Sequence, residues 1–152
     1  MAKISSGLLM YRIRDGKPQV LLAHPGGPLF AKKDEGAWGI PKGETEGQED
    51  LLGRARIEFR EEVGTEPPPG PYVELGTVKQ KGGKTVHAWA CEGDFTGPAR
   101  SNTVQMEGPP RSGKMQEFPE VDRVEWFSLA EARMKMNEAQ AAFLDRLLSQ
   151  LE

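Results

Sequence analysis

The sequence has almost no cysteine. Cys91 is the single one in 152 residues, so the chain cannot form an internal disulfide. Proteins without disulfides are typical of a reducing compartment. No apolar run approaches the roughly 18–20 residues that a membrane-crossing helix needs, and the first apolar stretch is too short for a secretory signal. These absences favour a cytoplasmic protein that does not enter a membrane.

The chain also has no excess of positive charge. Its 20 basic and 23 acidic residues give a formal net charge of −3. Binding nucleic acid in bulk requires a basic surface, so the balance argues against that class. Hydrophobic residues make up 37% and charged residues 28%, which is typical of a globular protein. We expect one domain over residues 1–152, and the sequence leaves both a monomer and a homodimer open.

Most of the regular structure can be predicted from local patterns. Four apolar or alternating runs, joined by Asp-Gly or Gly-Gly turns, predict two hairpins: residues 8–13 with 19–23, and 72–80 with 85–93. A glycine- and lysine-rich stretch lies between the first hairpin and residue 48, and it predicts mostly loop with a short strand at 38–40.

One strong helix is predicted over residues 48–63. Leu52, Ala55, Phe59 and Val63 recur at spacings of three and four residues and form one apolar stripe. Glycine directly after the stripe is a natural helix end.

The second half of the chain is less regular. Residues 94–120 show no convincing period and predict an irregular loop, which is either functional or a disordered surface segment. An alternating strand follows at 121–128, and Ser128 with Glu131 resembles a capping box that opens a helix. A last helix is expected over 138–150. The order of elements predicts an α/β fold, a mixed β-sheet with helices packed on its faces.

The predicted helix 48–63 carries three carboxylates on one face, those of Glu58, Glu61 and Glu62. Like charges three and four residues apart destabilise a helix by roughly 0.2–0.5 kcal/mol per pair. A divalent ion between them would offset this repulsion, and carboxylate oxygens are ligands suited to Mg²⁺ or Mn²⁺. The alternative is a solvated face whose charge is balanced by Arg54 and other arginines.

The carboxylates belong to a longer pattern that resembles the Nudix hydrolase family. The family's box reads G-x5-E-x7-R-E-U-x-E-E-x-G-U, where U is a bulky apolar residue. Residues 43–65 match seven of its nine defined positions in register: Gly43, Glu49, Glu58, Phe59, Glu61, Glu62 and Gly64. Two positions depart, because Ile57 replaces the arginine and Thr65 replaces an apolar residue.

The resemblance implies a fold, a reaction and a metal site. The fold would be the Nudix-type α/β/α sandwich, and the reaction the hydrolysis of a diphosphate linkage in a nucleotide-type small molecule. Glu58, Glu61 and Glu62 would bind Mg²⁺, or Mn²⁺, together with the carbonyl of Gly43. Dinucleoside polyphosphates are favoured as substrate over nucleoside triphosphates, ADP-sugars or diphosphoinositols, by analogy of fold alone.

Ile57 keeps a second class of function open. In the family the arginine at this position is taken to hold the glutamates in place. Arg54 lies four residues before Glu58 on the same face and could supply the missing cation. Otherwise the site is weakened, and the chain would be a nucleotide-binding module with little or no activity. An RNA decapping enzyme is a third reading, but it would need a long basic groove.

Two sets of residues are candidates for substrate binding and for the general base. Phosphate contacts are expected from cations before the box and in the long loop: Lys32, Lys33, Lys42, Arg111 and Lys114. The base that takes a proton from water is expected to be Glu61, ahead of Glu58, with Glu117 and Glu120 as candidates outside the box. Phe30, Trp38 and Trp89 could stack a nucleobase, although aromatic residues in a small domain more often pack in the core.

Overall fold

The computed structural model describes residues 3–45 and 50–151, which form eight strands and three helices. They are β1 Ile4–Arg14, β2 Lys17–Pro25, β3 Lys42–Glu44, α1 Leu51–Val63, β4 Val73–Lys79, β5 Thr85–Glu92, β6 Thr103–Glu107, β7 Met115–Pro119, β8 Val121–Ser128, α2 Leu129–Lys135 and α3 Ala142–Leu151. Within those ranges, no helix is both long and apolar enough to cross a membrane.

Six strands form one mixed sheet in the order β4-β5-β1-β2-β8, with β3 added beside the start of β1. The central strand β1 is parallel to β5 and antiparallel to β2 and β3. The β1–β2 and β4–β5 pairs are the two hairpins predicted from the sequence, and both are confirmed.

Alternation along β1 sends neighbouring side chains to opposite faces of the sheet. Leu8 and Met10 join a buried cluster with Ala55 and Phe59 of α1. Leu9 belongs to a second buried cluster, which includes side chains of α2 and α3. Helices therefore cover both faces, which confirms the α/β/α sandwich.

Helix α1 begins after Asp50 and ends at Gly64. Gly64 has φ 93°, a left-handed conformation that residues with a Cβ rarely adopt, and its N–H donates to the carbonyl of Arg60. The predicted apolar stripe is confirmed, since Ala55, Phe59 and Val63 are all buried. The predicted first turn at residues 48 and 49, including the box residue Glu49, lies outside the described residues.

Two predicted elements were wrong, and a third, the last helix, begins later than expected. Residues 94–120 contain the β6–β7 hairpin rather than an irregular loop. Its strands are five residues long, too short for alternation to stand out between prolines and glycines. The expected strand at 38–40 is reduced to isolated bridges, and the next strand, β3, begins four residues after the predicted start. The last helix begins at Ala142, after turns that occupy the residues expected to open it.

Candidate active site

Strand β3 and helix α1 meet at Gly43. A Cβ on this glycine would lie within 2.6 Å of the Glu58 Cγ and would overlap the carboxylate. Pairing of β3 with β1, which sets Gly43 opposite Ser6, fixes the backbone at this point. The Glu58 carboxylate therefore occupies the space that a side chain at position 43 would fill.

Three carboxylates come together beside this contact. Glu58, Glu62 and Glu120 each offer an oxygen, and the three oxygens lie within 4.8 Å of one another. Glu58 and Glu62 stand one turn apart on α1, whereas Glu120 comes from the residue between β7 and β8. The Glu120 backbone is held on both sides, because its N–H donates to the Asn102 carbonyl and its carbonyl accepts from the Gly26 N–H, both at 2.9 Å. We call these three residues the carboxylate trio.

Burial makes the carboxylate trio electrostatically costly. Glu62 is only 5% exposed, and burial raises its pKa to about 9, with smaller contributions from the negative charges of Glu120 and Glu58. Burial also raises the pKa of Glu58, and the neighbouring Glu61 carboxylate adds to the effect. The Lys42 backbone N–H donates to Glu62 Oε1 at 3.3 Å. With a pKa of about 9, Glu62 therefore holds a proton at neutral pH when no metal ion is bound.

Arg54 lies where a replacement for the missing box arginine was expected. Its Nη1 donates to Glu58 Oε2 at 3.2 Å. Arg56, two residues further along the helix, instead places its guanidinium over the Tyr72 ring, 5.6 Å from the centroid. The cation that Ile57 cannot supply is thus provided to Glu58 from one turn earlier in α1.

A cavity of about 370 Å³ opens next to the carboxylate trio. Glu62, Glu120 and Lys42 line one part of it, and the remaining wall includes Phe30, Trp38, Gln80, Asn137 and Gln140. Ligand cavities of roughly 300–1,000 Å³ hold small molecules, so this cavity is large enough for one. Burial lowers the pKa of the Lys42 amine, and the positive charge of Lys84 adds to the shift.

Two predicted glutamates are not members of the carboxylate trio. Glu61 is on the exposed side of α1, and its backbone carbonyl accepts from the Asn102 N–H at 2.8 Å. Glu117 is an exposed residue of β7, paired with Gln105 of β6. Among the described carboxylates, it is Glu120 that completes the group begun by the two helix residues.

The predicted phosphate-binding cations are spread over three places. Lys42 lines the cavity. Lys33 has its ammonium 5.3 Å from the centroid of the Phe30 ring, which also lines the cavity, and Lys32 is exposed in the same loop. Arg111 and Lys114 are exposed in the turn of the β6–β7 hairpin and do not line the cavity.

Sequence reasoning missed two kinds of residue around the cavity. His24, for which no motif suggested a role, is fully buried and bonded through Nδ1 to Asp122 Oδ1 at 2.8 Å and through Nε2 to the Lys33 carbonyl at 2.6 Å. His24 therefore anchors the loop that contains Lys33 to Asp122 of β8. Gln80 and Gln140 gave no signal at all, because isolated glutamines 60 residues apart form no pattern.

The fold and the site together define a class. The acid-rich helix α1 docks on a glycine of the mixed sheet, beside a cavity of about 370 Å³ that a half-buried lysine lines. This arrangement is suited to a phosphate-rich ligand and a divalent cation. A family model described as NUDIX domain matches residues 5–147. The chain belongs to the Nudix family. This confirms the predicted family and the predicted enzyme class, a Nudix-type hydrolase that acts on phosphorus-containing acid anhydrides.

Solved structures with this fold include several Nudix proteins. The NUDIX domain of Shewanella oneidensis NrtR, solved with ADP ribose, is 15% identical with a TM-score of 0.69, covering 100% of this chain and 90% of that chain. A C. elegans Ap4A hydrolase binary complex is 21% identical with a TM-score of 0.66, covering 99% and 98%. The E. coli ORF135 protein is 23% identical with a TM-score of 0.58, covering 99% and 92%. At these identities the likeness shows the fold. No curated protein matches the sequence.

Proposed function

We propose that the chain hydrolyses a diphosphate linkage in a nucleoside diphosphate joined to another group, with Mg²⁺, or Mn²⁺, at the carboxylate trio. The observation that carries this proposal is the convergence of three carboxylate oxygens within 4.8 Å of one another, two from the box helix and one from Glu120. The cation would be held by Glu58, Glu62 and Glu120, with the Gly43 carbonyl as a further ligand. Glu61 borders the same site.

The donor set fits such a cation. Carboxylate and carbonyl oxygens are the ligands that Mg²⁺ and Mn²⁺ prefer. Glycine at position 43 leaves the Glu58 carboxylate the room that a side chain would take. Burial raises the pKa of Glu62 to about 9, and the nearby carboxylates of Glu120 and Glu58 add to the shift, so a bound cation would favour the ionised form of all three. When bound, the cation would polarise a phosphate oxygen and offset the charge that grows on the leaving phosphate.

The chain's own residues supply the remaining chemistry. Glu61, exposed on α1 beside the carboxylate trio, takes a proton from the attacking water. The water oxygen forms a bond to phosphorus, and the bond between phosphorus and the bridging oxygen breaks. Lys42 presents its amine to the phosphate oxygens from the cavity wall and stabilises their added charge. Arg54 positions the Glu58 carboxylate through the bond at 3.2 Å.

The substrate class rests on the cavity and on two structural neighbours. The cavity of about 370 Å³ beside the carboxylate trio accommodates one nucleoside. One structural neighbour was solved with ADP ribose and another is an Ap4A hydrolase. ADP ribose and Ap4A are both nucleotides with a diphosphate linkage, and they support a nucleotide-type substrate for this chain. Among such compounds we place dinucleoside polyphosphates first.

The test is a panel of diphosphate compounds assayed for nucleotide release with Mg²⁺, with Mn²⁺ and with EDTA. We expect turnover with either metal and none with EDTA, and ¹⁸O-labelled water would identify the attacked phosphorus. Glu120→Gln should lower turnover by about 100-fold, because losing a charged ligand removes roughly 3 kcal/mol of transition-state stabilisation. Glu117→Gln makes the same chemical change on the neighbouring strand and should leave turnover intact. Nucleotide binding without turnover, unaltered by Glu61→Gln, would instead make the chain a binding module.

Two broader expectations complete the proposal. We propose that residues 1–152 act as a single Nudix hydrolase domain and that the protein works in the cytoplasm, as the single buried cysteine favours. One cooperative unfolding transition is the expected result for a single domain. Light scattering would decide between a monomer and a homodimer.

A further inference from the structure

We propose that Gln80 reads the nucleobase of the substrate, by donating a hydrogen bond from its side-chain amide to a carbonyl oxygen of the base. The inference rests on the proposed function for the kind of ligand, and on a chain of hydrogen bonds at the cavity wall for the residue. Gln140, behind Gln80, acts as a positioning residue.

The hydrogen-bond chain starts at a backbone group whose polarity is fixed. The Ile40 N–H can only donate, and it donates to the Gln140 side chain at 3.0 Å. The Gln140 atom that accepts must therefore be Oε1, which leaves Nε2 on the other side of the amide. That Nε2 donates to the Gln80 side chain at 2.8 Å. The Gln80 atom that accepts must in turn be its own Oε1.

The orientation of both amides follows from that one backbone donor. Gln140 is 2% exposed, so its amide cannot exchange these partners for water. With Gln80 Oε1 turned toward Gln140, the Gln80 amide nitrogen is directed away from it with two N–H donors. Within residues 3–45 and 50–151, no hydrogen bond uses this nitrogen. The chain of bonds thus ends in an oriented donor rather than an amide that can turn either way.

Gln80 stands on the wall of the cavity that also holds Glu62 and Glu120. Phe30 lines the same cavity and is half-buried, which gives a planar ring a surface to stack on. If the phosphates of a nucleotide lie at the carboxylate trio, its base is therefore the part that can reach Gln80. A second cavity of about 670 Å³ shares Gly36, Gln80 and Asn137 with the first, so Gln80 lies where the two join.

An oriented donor has a definite chemical preference. It favours a base edge that presents an accepting carbonyl oxygen at this position, as in guanine, hypoxanthine or uracil, over an edge that presents an amino or C–H group there. A single hydrogen bond changes affinity by roughly three- to tenfold. We expect that difference between inosine 5′-monophosphate and purine riboside 5′-monophosphate, because the second lacks the carbonyl oxygen at position 6.

The variants separate the donor from the shape of the side chain. Gln80→Met keeps the length of the side chain and removes the amide. Gln80→Glu keeps an oxygen that can accept from Gln140 but removes the outward donor. Gln105→Met makes the same change as Gln80→Met on the exposed face of β6, away from the cavity, and is the matched control.

The experiment measures binding of the two monophosphates to the full chain by calorimetry, and base preference in hydrolysis of the corresponding diphosphate compounds. We expect the wild type and Gln105→Met to favour the inosine compound by about three- to tenfold, and Gln80→Met and Gln80→Glu to lose the preference. A merely structural role for Gln80 would weaken both ligands equally and leave their ratio unchanged, which would overturn the inference.

The two proposals fail in different ways. Hydrolysis without any base preference, or with a preference that survives in Gln80→Met, overturns the role of Gln80 and leaves the proposed function standing. Base-dependent binding that disappears in Gln80→Met, in a chain that hydrolyses nothing, supports Gln80 and overturns the proposed function. If the chain neither hydrolyses the diphosphate compounds nor binds either monophosphate, both proposals are overturned.

Discussion

Replacing Glu62 with glutamine should stabilise the metal-free protein. Burial raises the pKa of Glu62 to about 9, from an ordinary value of 4.5. Above pH 4.5 the unfolded chain releases this proton while the folded chain retains it. Ionisation therefore favours unfolding, and the stability contributed by this group falls as pH rises from 4.5 to about 9. Glutamine is uncharged, nearly the same shape, and still accepts a hydrogen bond from the Lys42 N–H.

The magnitude follows from the width of that pH window. At neutral pH the wild type has passed through the lower part of it, and each pH unit corresponds to about 1.4 kcal/mol. Glu62→Gln is thus expected to raise the free energy of unfolding by roughly 3 kcal/mol at pH 7, as an upper limit. The difference should shrink toward pH 5, because there the unfolded chain also holds most of its proton.

The assay is urea unfolding in EDTA at several pH values between 5 and 8, for the wild type, Glu62→Gln and Glu61→Gln. Glu61 is the adjacent residue of the same helix and is exposed, so its substitution controls for the chemical change itself. The expected result is a gap between wild type and Glu62→Gln that widens with pH. Parallel pH profiles for these two proteins would refute the reasoning, because they would mean that Glu62 is ionised in the fold at no cost.

Two further substitutions test how the carboxylates are held. Arg54→Ala should lower turnover by about tenfold, because it removes a hydrogen bond to the partly buried Glu58 carboxylate. Arg56→Ala removes only a contact with an aromatic ring and should change kcat little. Equal, small effects of the two substitutions would show that Arg54 does not hold Glu58 in place. Gly43→Ala should destabilise the fold by roughly 1–3 kcal/mol and weaken Mg²⁺ binding, because its Cβ overlaps the Glu58 carboxylate. Gly53→Ala, in α1, is the control, because its Cβ would meet only the Asp50 side chain. It should leave stability unchanged or raise it in the same unfolding measurements, and it should leave Mg²⁺ binding unchanged.

The parts of the fold that sequence reasoning predicted correctly depend on short-range signals. Asp15 and Gly16, both at positive φ, form the turn of the first hairpin. Ser128 and Glu131 make the capping box at the start of α2, with the side chain of each bonded to the backbone of the other. Gly43, the first residue of the box, packs against Glu58 of the same box. In each case the residues that decide the structure are local, or belong to a pattern with fixed spacing.

The parts that sequence reasoning could not predict depend on long-range closure of the sheet. Glu120 reaches Glu58 and Glu62 only because the β6–β7 hairpin and β8 bring a distant segment to α1, and no local period marks that approach. Gln140 and Ile40 are 100 residues apart in sequence. Such pairings are fixed by tertiary packing. Local sequence patterns carry no information about contacts between residues so far apart.

The distribution of the carboxylate trio along the chain explains how a repulsive cluster can coexist with a stable fold. Two of its members share a helix, where their mutual repulsion costs only tenths of a kcal/mol. The third arrives from a separate segment, and the cost becomes large only when burial removes the water that screens the charges. The fold meets this cost by keeping Glu62 protonated, so the metal-free protein does not bear the full charge. A cation that binds there must displace that proton, and its binding adds to stability only through the folded state, where alone the three carboxylates meet.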